Sequence, residues 1–262
     1  MNAEEDPERT SSERSPHLSH SRINRYLLCP EQYRLYYVER LRPRVQAASL
    51  MFGQAVHMAL AFLFRQGADP VESFNELWAT TRQLDLRYSK RESWERLQES
   101  GRALLQKFVK EELPRITNVR ASEKEFELQV SNLALPLVGI IDLVADLDGK
   151  PTITDFKTSI SSYEEYEAEL SDQLSTYLLA EPEVDQAALC VFVKTKEPRI
   201  EWQVATRDGA DLVEYLAKAK YVAGEIATQR FYKRPGKWCS WCDYLPVCLK
   251  DNGAIAETLV RV

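Results

Sequence analysis

The stretch GIIDLVADLDGKPTITDFKTS, residues Gly139 to Ser159, decides how this chain is read. Asp148-Gly149 between two apolar runs signals a two-residue hairpin loop of type I′. If Leu147 faces Lys150 across that loop, the register runs outward and Asp142 falls directly opposite Asp155. Alternation then places Asp142, Asp155 and Lys157 on one face. Opposed residues have Cβ atoms roughly 4.5–5.5 Å apart, and like charges there are destabilising. Both faces of GIIDLVA are largely apolar, so the strand reads as covered on both sides. A buried carboxylate pair is unfavourable unless something positive sits between the two groups. A divalent cation resolves the conflict, because hard cations prefer carboxylate oxygen, and Lys157 adds a further positive charge. The alternative is an ordinary surface hairpin with solvated charges. Asp…Asp-x-Lys alone does not choose between them.

With 262 residues, the chain is long enough for a substantial core, in one large domain or one domain with additions. No apolar run approaches the ~20 residues of a membrane helix. The first residues, MNAEEDPERTSSERS, are polar, so residues 1–16 read as a disordered tail and not as a signal peptide. A single domain is expected over residues 17–250, with a C-terminal tail over 251–262, in a cytoplasmic protein that meets no membrane. The net charge of −6 argues against binding nucleic acid over the whole surface. It leaves room for a local basic groove. Basic clusters occur at Arg22, Arg25, Arg40, Arg42 and Arg44, and at Lys233, Arg234 and Lys237. Each alone reads as a solvated face.

Ser19 caps a short helix carrying Ile23, Tyr26 and Leu27, which Pro30 interrupts. A long buried helix is predicted over 49–66, with Val56, Leu60 and Leu63 at helical spacing. Further helices are predicted over 70–85, 90–112, 165–180 and 208–229. EKEFELQV alternates as a strand, AALCVFVKT reads as a buried strand and RIEWQVAT as its hairpin partner. Helices followed by a sheet and then mixed elements suggest an α/β or α+β core with a helical insertion near the front. Glu123 and Glu125 lie within reach of the same hairpin, but a solvated strand face is the reading preferred for them.

Asp142 followed by Asp155-Phe156-Lys157 resembles the core of the PD-(D/E)XK nuclease superfamily. Other segments resemble its RecB-like branch: HLSHSRINRYLLCPEQYRLYYVERL at the front, Gly53-x-x-x-His57, Gln173-x-x-x-Tyr177, and Cys239-x-x-Cys242 followed by Cys248. That branch includes AddB-type nucleases and the CRISPR-associated exonuclease of spacer acquisition. The resemblance runs from about Leu18 to Cys248. It implies an α/β, restriction-endonuclease-like mixed sheet flanked by helices, with an N-terminal helical insertion and a C-terminal cysteine-rich cluster segment. It implies that His57, Asp142, Asp155 and the backbone carbonyl of Phe156 ligate Mg²⁺ or Mn²⁺. Lys157 would position and polarise the attacking water, and Gln173 and Tyr177 would flank the site. Taken alone, His57 reads as a satisfied core histidine. Gln173 and Tyr177, four residues apart, read equally as a half-buried helix face.

Cys239, Cys242 and Cys248 supply three thiols in a segment with little regular structure, an incomplete set for a four-ligand site. Cys29 is the candidate fourth, because Cys190 sits in an apolar run and reads as an inert core thiol. Four thiolates suit zinc or an iron–sulfur cluster. The resemblance points to a [4Fe–4S] cluster; whatever the metal, the site reads as a structural staple, and Trp238, Trp241 and Tyr244 read as shielding it in preference to stacking on bases of a single strand. The expected activity is metal-dependent hydrolysis of DNA, by an exonuclease acting on single strands or ends, in repair, recombination or CRISPR adaptation. The resemblance implies a helicase or CRISPR-adaptation partner; no GxxxxGK[ST] pattern is present, so any ATP-driven unwinding would come from another chain. Two alternatives stay open: a non-catalytic, cluster-containing DNA-binding subunit, and a ribonuclease on the same core.

Overall fold

The computed structural model describes residues 16–90 and 92–262, so the tail expected at the N-terminus lies outside them except for Pro16. Helix α1 (His20–Leu28) is capped by Ser19, whose hydroxyl accepts the Arg22 N–H. Pro30 opens α2 (Pro30–Tyr33), which continues as a π turn to Val38. Two short strands follow, β1 (Leu41–Pro43) and β2 (Gln46–Ala47). The central helix α3 (Ala48–Gln66) ends at Gly67, whose φ of 69° closes it in the left-handed conformation. Helix α4 (Pro70–Ala79), strand β3 (Leu86–Arg87) and helix α5 (Trp94–Lys107) complete the helical part, with Asp69 and Ser93 as side-chain caps of the two helices. By length and composition α3 could cross a membrane. Its apolar side chains have another use: Phe52, Val56 and Leu60 are fully buried in the core.

The sheet contains β4 (Ile116–Leu128), β5 (Leu137–Leu147) and β6 (Lys150–Ser159). Helix α6 (Asp172–Ala180) crosses over to β7 (Gln186–Val193), which turns back into β8 (Arg199–Thr206). The order is β4-β5-β6-β7-β8. All neighbours are antiparallel except β6 and β7, which the α6 crossover makes parallel. This is the mixed α/β sheet flanked by helices expected of a restriction-endonuclease-like fold. Helix α6 begins later than predicted because Ser171 caps it, accepting the Leu174 N–H.

The hairpin register is as predicted from Leu147–Lys150 to Leu143–Thr154, around a loop in which Asp148 and Gly149 have φ of 51° and 80°. Asp142 and Asp155 are the next positions outward. The single-face expectation needs correction there. Ile141 packs on the α6 side of the sheet and Leu143 on the α3 side, so simple alternation fails at the residue between them, Asp142. The physical reason is a side-chain substitution for a ladder bond: the Phe156 N–H donates to Asp142 Oδ2 at 2.7 Å. The neighbouring strand is irregular at the same level, where Glu123 takes a φ of 50°.

One core lies between α3 and the sheet, joining Phe52, Val56 and Leu60 to Leu143, Phe156 and Phe192. A second, on the opposite face, joins Leu174, Tyr177 and Leu178 of α6 to Ile141, Leu189 and Val191. A third seats α1 against α7 (Gly209–Ala227), through Ile23 and Tyr26 against Tyr215 and Val222.

The last segment departs from expectation. A 3₁₀ turn at Lys237–Trp241 leads to α8 (Leu245–Leu249), α9 (Asn252–Thr258) and β9 (Leu259–Arg261). Residues 251–262, read from sequence as a tail, are folded: β9 pairs antiparallel with β1, and Leu259 is buried with Leu35 and Tyr244. A three-residue strand leaves no periodicity to detect, and its partner lies some 200 residues earlier. Replacing Leu259 with alanine is expected to lower unfolding free energy by about 2–5 kcal/mol, the range for emptying a buried leucine site. Urea denaturation followed by circular dichroism measures it, and a loss below ~0.5 kcal/mol, typical of an exposed position, would return this segment to a tail.

Candidate active site

The failure of alternation at Asp142 turns its carboxylate towards α3. Asp142 Oδ2 lies 3.4 Å from His57 Nδ1. Helix α3 can come this close because Gly53, one turn before His57, has no side chain. A Cβ there would stand 3.3 Å from Thr158 Oγ1 of β6. The Phe156 ring meets the His57 ring edge-on, at 6.4 Å between centroids.

Glu123 completes a set that the sequence reading had assigned to solvent. In the β4–β5 register it falls between the pairs Ser122–Leu143 and Lys124–Ile141, directly across from Asp142. Its left-handed backbone, uncommon for a residue with a side chain, is held by the Arg65 guanidinium, which donates to the carbonyls of Ser122 and Glu123. One donor atom from each of His57, Glu123 and Asp142 lies within 4.8 Å of the others. Strict alternation had grouped Glu123 with the exposed Glu125. Only the local backbone conformation separates them, and no residue-type signal announces it.

Asp155 is the most deeply buried carboxylate of the group and is engaged from its other side. Lys157 Nζ lies 2.7 Å from Asp155 Oδ2, and the Tyr177 hydroxyl is 3.4 Å from Asp155 Oδ1. Lys157 also donates to Gln173 Oε1, and the Gln173 amide donates to Tyr177 OH, both at 2.7 Å. Gln173 and Tyr177 therefore form a brace from α6 that orients the lysine on β6. Thus all six side chains read as site residues, His57, Asp142, Asp155, Lys157, Gln173 and Tyr177, meet in two linked subsets.

Their electrostatics follow from burial against pairing. Burial raises the Asp155 pKa; Lys157 opposes this and Asp142 adds to it. Asp142 ends below the ordinary carboxylate range: burial pushes it up, but His57, the Phe156 N–H and Lys157 outweigh that. Burial disfavours the charged forms of His57 and Lys157, yet Asp142 and Asp155 respectively leave both raised. Glu123 is pushed up to about 7 by burial and then by Asp142. Carboxylates this crowded favour a cation, and carboxylate oxygens with one imidazole can hold a divalent ion.

Cys29 lies at the C-terminal end of α1, the end away from His20. Cys29 joins α1 to α2 and influences both Cys242 and Cys248, whose thiols burial has already raised. The Gln32 amide donates to Cys242 Sγ at 3.5 Å, and the Cys242 N–H to the Cys239 carbonyl at 3.3 Å. All five cysteines are free thiols. Cys190 is buried in β7, and burial holds its thiol well above the usual range. Of the three aromatic residues expected to shield the thiols, Tyr244 is buried, but Trp241 is 67% exposed and cannot serve as a cover. Its 3₁₀ turn faces it outward.

The family model of the PD-(D/E)XK nuclease superfamily matches residues 17–249. The chain belongs to the PD-(D/E)XK nuclease superfamily. Nucleases of this superfamily use divalent metal ions, which the His57, Glu123 and Asp142 donors fit. A solved structure named "Putative exonuclease", from Eubacterium rectale, shares the fold with a TM-score of 0.56 at 10% identity, covering 96% of this chain and 94% of its own. A second, SSO0001, has a TM-score of 0.48 at 14% identity, covering 90% and 87%. No curated protein matches the sequence significantly.

The His57–Asp142 contact has a pH signature. In protein freed of divalent ions, the His57 resonance should titrate above the ordinary 6.5. Its folded pKa is raised, so the contact stabilises the fold fully below pH 6.5 and loses that contribution as pH rises through the raised value. Asp142→Asn should move the titration down, since burial then acts with less opposition. An unchanged His57 pKa in that variant, read by proton NMR, would contradict the geometry.

Proposed function

We propose that this protein is a divalent-metal-dependent deoxyribonuclease of the RecB-like, iron–sulfur branch, an exonuclease on single-stranded DNA or DNA ends. The observation that carries this reading is Lys157, whose ammonium sits 2.7 Å from Asp155 and 2.7 Å from Gln173, beside the His57, Glu123 and Asp142 donors. His57, Asp142 and Asp155, with the Phe156 carbonyl, would hold the metal, and Glu123 is an additional donor. When bound, the ion supplies charge stabilisation at the phosphate and lowers the pKa of water. Asp155 favours the charged form of Lys157, which would act as a donor that aligns water against phosphorus. Tyr177 and Gln173 fix its position. The exonuclease name of the E. rectale protein agrees with this reading.

Asp155→Ala is expected to abolish cleavage of 5′- and 3′-labelled oligonucleotides in Mg²⁺ or Mn²⁺, and Lys157→Ala to slow it by about 10²–10³-fold, as for loss of a preorganised donor. EDTA should stop the reaction reversibly. Undiminished cleavage by Asp155→Ala would remove the assignment, and a preference for RNA would make the enzyme a ribonuclease.

For the second site we propose that Cys29, Cys239, Cys242 and Cys248 hold a [4Fe–4S] cluster that ties α1 to the C-terminal segment. The Gln32 amide, three residues after Cys29, reaches Cys242 Sγ across more than 200 residues, and Cys29 acts electrostatically on Cys242 and Cys248, which supports a shared ligand. Binding that requires the folded arrangement stabilises it. Cys29→Ala should lose iron, visible absorbance and thermal stability, while Cys190→Ala keeps the iron. Full iron content in Cys29→Ala would defeat the split site. Zinc without iron in anaerobically purified protein would leave the staple and change its metal.

A further inference from the structure

Between the lysine brace and the cysteines runs a groove whose wall is α1. It encloses about 350 Å³. His20, Asn24 and Leu28, spaced four residues apart, line it from one face of α1, and Lys157 and Gln173 close its inner end. At ~1.5 Å per residue, the His20-to-Leu28 wall is about 12 Å long. Gln32 lies at the outer end, where its amide meets Cys242.

Three features distinguish this groove. In a chain of net charge −6, none of its lining residues is a carboxylate, while Arg25 and Lys157, the latter ion-paired with Asp155 behind it, are cationic. A second cavity, beside Arg120 and Lys124, is by contrast shared with Glu181 and Glu183. Next, His20 Nδ1 is sealed from solvent and has no hydrogen-bond partner among the described residues, the kind of orphan that a ligand or water would complete. Burial, then Lys157, lowers the imidazole pKa to about 4, with Asp172 opposing and Lys218 assisting. Finally, Asn24 and Leu28 are exposed and line the groove together with Lys157.

We propose that this face of α1 is the track on which one strand of DNA lies as it approaches or leaves Lys157. The proposal rests on the nuclease reading above, which supplies the chemistry at the inner end. The groove is continuous with that site, and its lining is basic and neutral. No aromatic side chain lines it, so grip comes from backbone phosphates in place of base stacking, and binding should be tolerant of sequence and sensitive to salt.

The test measures binding apart from cleavage. Anisotropy of a fluorescein-labelled oligothymidylate is followed with the full chain and no added divalent ion. Asn24→Glu/Leu28→Glu should weaken binding by about tenfold or more, and Asn24→Lys/Leu28→Lys should tighten it about threefold, as phosphate neutralisation requires. Leu84→Glu/Val213→Glu adds the same charge at exposed positions outside the groove and should stay within ~twofold of the parent. The inference is overturned if the Asn24/Leu28 variants bind like the parent, or if the glutamate pair loses no more affinity than the Leu84/Val213 control. The lysine pair keeps the test decisive should the glutamate pair fold poorly. Strand binding through α1 without any Mn²⁺-supported cleavage would sink the nuclease reading and leave the groove. Cleavage with indifferent α1 variants would do the reverse.

Discussion

Two carboxylates on neighbouring strands, Asp142 and Asp155, are buried at the centre of the sheet, and much of the molecule is arranged around that conflict. Buried like charges are costly unless compensated. Here the compensation comes from both sides. Helix α3 brings His57 to Asp142, and β6 itself brings Lys157 to Asp155. A backbone N–H, that of Phe156, leaves its usual role to serve Asp142. Each element that delivers a positive or hydrogen-bonding group must be seated accurately, which accounts for the apolar bulk of α3 and for the close pass at Gly53.

The two faces of the sheet divide the work. The α3 face carries the donors that can hold a metal, and the α6 face carries the Gln173–Tyr177 brace that aims the lysine. Asp142 and Asp155 stand where the two meet. The candidate site is therefore built on strands and helices, elements that hold side chains more accurately than loops do. Helix α1 stands outside this core, packed on α7, with one end at the lysine brace and the other at the thiols. The β1–β9 pair joins the start of the folded chain to its end, and chain closure over such a distance is cheap relative to its length.

Much of this was legible in the residue pattern. Asp148-Gly149 specified a turn whose two positive φ values are present, and the turn specified register as far as Leu143 and Thr154. The four-residue spacings Gly53–His57 and Gln173–Tyr177 placed each pair on one helical face, where they are found. Glu123 was not legible. Its neighbours alternate, and strand periodicity assigned it to solvent with Glu125. The short β9 was missed because three residues carry no period, and Trp241 was misplaced because exposure in a 3₁₀ turn depends on what packs beneath it.

The sequence by itself determined the turn, the order of elements, the donors available and their local spacing, because these depend on interactions within a few residues. Tertiary structure alone decided that alternation fails at Asp142, that Glu123 turns inward, and that α1 leaves a groove that ends at Lys157. Those outcomes depend on which hydrogen bond wins when two strands and a helix compete for one carboxylate. That competition exists only once the chain has brought the three together.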